Sequence, residues 1–159
     1  MAKQNKKARL LLILAFVLIL GFIWGQSFFD EISSSRESGY ITIHFIRPVV
    51  RFFAGNAAAN RVKDTTTRKI AHVIEYAVLG LVFGSVLKNC RPRFWFALLF
   101  CMAVGLLDET IQLYTGRGSN LTDVWIDAGG AALGLSILLF AARKKRKKEQ
   151  KETGTEPAG

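Results

Sequence analysis

The sequence predicts an all-α protein: a bundle of four transmembrane helices with a short interfacial helix in the first outer loop. Three observations lead there. The 159 residues are half hydrophobic and suit one compact unit with no second domain. The apolar residues fall in long runs, near 10–29, 70–87, 94–114 and 124–142, each close to the ~20 residues a helix needs to cross a bilayer. The ionisable residues that interrupt the later runs recur at helical spacing. Residues 1–9 then form an inner N-terminal tail, 10–142 the membrane domain, and 143–159 a basic inner tail without order.

The first run follows "KKAR" and is read as an uncleaved helix, because "LILGFIWGQS" has no small-x-small pair followed by a soluble domain. "GQSFFDEISSSRESGY" reads as a solvated turn. In "ITIHFIRPVVRFFAGNAAAN", Pro48 suits a first helical turn with Val49, Phe52 and Phe53 on one side, lying along the membrane surface. A re-entrant segment is the alternative, and His44 is read as a polar contact. Thr65, Thr66 and Thr67 are available to cap the second span. In "DAGGAALG" of the fourth, Gly130 and Gly134 are four apart, which lets a neighbouring backbone approach closely. Homo-oligomerisation through this stripe is the alternative. Cys90 and Cys101 have no metal-site spacing and are expected to be reduced and structural.

The formal net charge of +10 resembles a nucleic-acid signal until it is mapped onto the spans. With both termini inside, the two tails and the short 88–93 connection hold 14 of the 22 basic residues. That bias sets an N-in, C-in orientation. The run "RKKRKKEQK" is then a stop-transfer block beside anionic lipid headgroups; membrane lipids are the expected partners, and nucleic acid is not.

In this topology three spans deliver polar residues to the outer leaflet. The second begins there with Arg68, Lys69, His72 and Glu75; the third ends there with Asp108, Glu109, Gln112 and Arg117; the fourth begins with Asp123 and Asp127. Arg68, His72 and Glu75 are spaced by four and three, and Asp108/Gln112 and Asp123/Asp127 by four, so each set shares a helix face. Facing lipid, a charge costs roughly 2.5–3.5 kcal/mol at mid-helix, so the stripes turn inward. Three cations meet five carboxylates, an excess of two negative charges when His72 is neutral. A protonated His72, a protonated carboxyl or a bound divalent cation would relieve it. An ion-pair lattice tying the helices together is the structural alternative to a functional site.

These residues also carry a resemblance. "RKIAHVIEYAVLG" at 68–80 and "DETIQLYTGRGSNLTDVWIDAGGAALG" at 108–134 resemble the VanZ-like family over nearly the whole chain. The resemblance implies a four-helix bacterial cell-membrane protein linked to glycopeptide resistance, chiefly to teicoplanin. Its motif positions are Arg68, Lys69, His72, Glu75, Tyr76, Asp108, Glu109, Gln112, Arg117, Asp123, Asp127 and Gly130. It implies no mechanism.

Three function classes follow. A membrane-embedded enzyme acting on a lipid-linked envelope component would use His72 as general acid or base with Glu75, Asp108 or Asp127. Arg68, Lys69, Tyr76, Gln112 and Arg117 would then hold the substrate, and Glu109 and Asp123 are the candidate metal ligands. A binding protein would instead engage a lipid-linked envelope precursor or the acyl chain of a lipoglycopeptide without chemistry. An ion-coupled transporter is disfavoured by four helices with polar groups in one leaflet.

Overall fold

The structure is a computed structural model, which describes residues 6–28, 36, 38–87, 93–116 and 120–152. Among the described residues the α-helices are α1 (Lys6–Ser27), α2 (Arg47–Arg61), α3 (Asp64–Val86), α4 (Arg93–Thr115) and α5 (Leu121–Glu152). No strand occurs among the described residues. Lys6–Ser27, Thr65–Val86, Phe94–Thr115 and Leu121–Gln150 are each long and apolar enough to cross a membrane. At 1.5 Å per residue, 22 residues reach about 33 Å, just over a hydrocarbon core.

The helices pack as membrane helices do, with small residues between backbones and large apolar ones outward. Leu10, Leu11, Val17 and Phe22 of α1 are exposed, as are Leu99 of α4 and Ile137 of α5; in lipid these faces meet acyl chains. The most intimate pair is α3 with α5. A side chain at Gly130 would come 2.6 Å from the Val73 carbonyl oxygen, and one at Gly134 would overlap the Ala77 carbonyl. Gly80 answers from α3, facing the Ala131 backbone. The expected close approach of the "DAGGAALG" stripe is therefore satisfied within the chain.

On the other side, Phe16 stacks on Phe83 at 4.8 Å and Phe83 meets Phe100 at 4.4 Å, joining α1, α3 and α4. Ile23, Tyr76, Leu79, Cys101, Val104 and Ala131 form the adjoining core, with the Cys101 thiol free and buried. Cys90 lies outside the described residues.

The segment between the first two spans departs from simple helix. Residues Thr42–Ile46 form one π-helical turn leading into α2, whose first turn carries Pro48. Gly55, at φ 82°, breaks α2 in a conformation that side-chain-bearing residues avoid. Before the break, Phe52 and Phe53 are 83% and 81% exposed, as a helix lying in an apolar interface would present them. The His44 ring lies tilted against that of Tyr40, with centroids 4.3 Å apart.

Two expectations need correction. The threonines do not cap α3: its N-cap is Lys63, whose carbonyl accepts from the Thr66 and Thr67 amides. The Thr67 hydroxyl is instead 2.5 Å from that of Thr42, which bonds the Ser38 carbonyl and so has its proton engaged. A long-range partner outcompeted a local one. Residues 143–152 are also helical, not disordered. Lys, Arg, Glu and Gln propagate helix well, and Lys145–Glu149 and Lys148–Glu152 pair at i,i+4 spacing.

Candidate functional site

The polar residues of four helices meet at one end of the bundle, where α1 and α4 finish and α3 and α5 begin. Asp108, Glu109, Gln112 and Asp127 are each at most 3% exposed, so the inward turn of the acidic stripes is present. The buried layer is held mainly by neutral donors. Asp108 accepts from the Ser27 hydroxyl of α1 on one oxygen and from Gln112 Nε2, at 2.8 Å, on the other. Glu75 accepts from Gln26 Nε2 at 3.2 Å. The Thr115 hydroxyl, one turn beyond Gln112, donates to the Ser27 carbonyl at 3.0 Å and ties the end of α1 to α4.

His72 is the hinge between this layer and the surface. Its Nδ1 lies 3.2 Å from Asp127 Oδ1, and Glu75 follows it by three residues on the same helix. The His72 side chain keeps 14% exposure, while Asp127 has none. Behind the ring, Tyr76 runs nearly parallel at 6.4 Å. Tyr76 Oη and Asp127 Oδ2 are both buried without a partner and face the same glycine, Gly105.

Above His72 opens a polar cavity of about 340 Å³, lined by Thr65, Arg68, Lys69, His72, Asn120 and Asp123. Lys69 Nζ is 3.6 Å from Asp123 Oδ1. Among the described side chains no carboxylate pairs with Arg68. Asn120 closes one wall: its amide donates to Glu109 Oε2 at 2.7 Å, and its side-chain oxygen accepts from the Thr122 amide, an N-cap for α5.

The candidate residues thus divide into two tiers. Arg68, Lys69, His72 and Asp123 line the cavity; Glu75, Tyr76, Asp108, Gln112 and Asp127 lie behind it. Of the candidate substrate-binding residues, Tyr76 and Gln112 are buried in the second tier, and Arg117 lies outside the described residues. The candidate metal ligands are engaged elsewhere, Glu109 with Asn120 and Asp123 with Lys69. Among the described residues no three His, Cys, Asp or Glu side chains stand together as a metal set. Gln26, Ser27 and Asn120 were not anticipated. The signal was present: two polar residues close the first apolar run immediately before "FF".

A bundle of four apolar helices with a buried acid–histidine layer beneath a cationic cavity defines a polytopic membrane protein with a polar site at one end. Over residues 9–142 the chain matches VanZ/LLP1, and it belongs to that family. No curated protein and no solved structure matches it.

Proposed function

We propose that the chain is a bacterial cell-membrane protein, with both termini inside, whose outer-leaflet cavity takes the anionic headgroup of a lipid-linked cell-envelope component. One observation carries this: Arg68 and Lys69 share a 340 Å³ polar cavity with His72, whose ring is in turn held by buried Asp127. A guanidinium beside an ammonium is the chemistry of phosphate recognition. The Asp127 contact fixes the imidazole's orientation and stabilises its protonated form, so that His72 can donate to a headgroup oxygen or withdraw a proton from it. Occupancy of such a site would change which lipid-linked components face the exterior and lower susceptibility to glycopeptides such as teicoplanin.

The second reading is a scaffold, in which the buried carboxylates serve only to bind helices together. The fully engaged Asp108 favours it for that residue. One comparison separates the readings: His72→Ala, Glu75→Gln and Asp108→Asn, each at verified membrane abundance, with envelope lipids profiled by mass spectrometry and glycopeptide susceptibility measured. A changed profile in His72→Ala at full abundance supports the headgroup site. Variants that act only by being degraded support the scaffold.

A further inference from the structure

The charge arrangement narrows the ligand. We infer that the cavity selects a headgroup bearing a single negative charge, a phosphodiester, over phosphomonoesters and pyrophosphates. This rests on the headgroup reading above.

Among the described side chains that line the cavity, Arg68 and Lys69 stand against Asp123, a surplus of one positive charge. His72 adds nothing, because Asp127 sits against its ring; together they are neutral at most. The floor is acidic. Glu75 follows His72 by three residues on the same helix, and among the described residues Asp108 and Glu75 take their hydrogen bonds from Ser27, Gln112 and Gln26, none of which brings a positive charge. A singly charged phosphodiester cancels the rim's surplus, with Arg68 reaching its two free oxygens as a fork. A second negative charge on the ligand would find no further cation among the described lining side chains and would face the carboxylates beneath. At an effective dielectric of about 20, one uncompensated like charge about 10 Å away weakens binding roughly tenfold. The volume, about 340 Å³, leaves room for a small polar substituent beyond the phosphate. Thr65 and Asn120 on the wall are neutral and supply hydroxyl and amide contacts for it.

The test is native mass spectrometry of the full chain titrated with phosphatidylglycerol, a diester, and with phosphatidate at pH 8. A phosphomonoester is largely doubly charged there, since its second ionisation lies near about pH 6. The expected result is roughly tenfold tighter retention of phosphatidylglycerol, falling about tenfold in Arg68→Gln. Asp123→Asn adds one positive charge to the rim and should move the preference toward phosphatidate, a gain that a merely destabilised variant would not show. Competition by water-soluble glycerophosphoglycerol assigns the ligand to the soluble pool, and its failure assigns it to lipid; the charge selection holds in either case. Equal or tighter phosphatidate binding, unmoved by Asp123→Asn, overturns the charge selection and leaves the headgroup site standing. If Arg68→Gln changes retention of neither lipid, both fail.

Discussion

His72 of α3 and Asp127 of α5 are 55 residues apart in sequence, yet the histidine Nδ1 lies 3.2 Å from the aspartate Oδ1. The contact lies just outside the close approach of Gly130 to the Val73 backbone. Packing of small residues therefore sets the distance between the two ionisable groups.

Removing the ring tests the pair. His72→Ala leaves Asp127, which has no solvent exposure, without its hydrogen-bond partner. A loss of about 1–3 kcal/mol in stability is expected, read as a lower thermal midpoint in detergent. Envelope phenotype should be lost even where membrane abundance is restored by higher expression.

The helix pair itself is tested at Gly134. A side chain there would overlap the Ala77 carbonyl, which is backbone and cannot swing aside. Gly134→Leu should cost about 3 kcal/mol or more, measured by unfolding in detergent or as lost membrane protein. Gly129 faces open space on the same helix. Gly129→Ala should be neutral within about 0.5 kcal/mol or slightly stabilising.

Ser27 is the tie from α1. Its hydroxyl donates to buried Asp108, so Ser27→Ala should destabilise by about 1–3 kcal/mol. A double-mutant cycle with Asp108→Ala should return a coupling of roughly 0.5–3 kcal/mol. A coupling of zero would show that the two side chains do not meet.

The proposed orientation has its own measurement. In a background where Cys90 and Cys101 are replaced by alanine, Asn120→Cys lies on the exposed wall of the cavity and Glu149→Cys on the helical basic extension. A membrane-impermeant thiol reagent applied to intact cells should label Asn120→Cys and reach Glu149→Cys only after permeabilisation. The reverse pattern would invert the topology.

The bundle was legible in the sequence because crossing lipid imposes a length and a composition on each helix, and both appear as long, mainly apolar runs. The inward stripes were legible for the same reason: a charge facing lipid is costly, so spacing by three and four names the face. Spacing does not name the partner across the bundle. Glu75 and Asp127 were equivalent companions for His72 until the structure turned Glu75 toward Gln26 of α1. Gln26 and Ser27, read as the start of a solvated turn, are donors to part-buried Glu75 and buried Asp108. Thr67 fits a cap by position, yet it pairs with Thr42, 25 residues away. The tail beyond residue 142 reads as a charge run, and its helicity depends on i,i+4 pairs that a charge count does not register.

The most direct measurement is of the distance between lipid phosphorus and the His72 ring in a bilayer. The chain has two histidines, so His44→Gln leaves His72 as the sole ring-nitrogen signal in the protein labelled with ¹⁵N-histidine. Reconstituted in phosphatidylglycerol, that signal should be dephased by ³¹P in solid-state NMR, and Arg68→Gln should abolish the effect. A His72 signal untouched by phosphorus in the folded protein would contradict a headgroup seated over the His72–Asp127 pair.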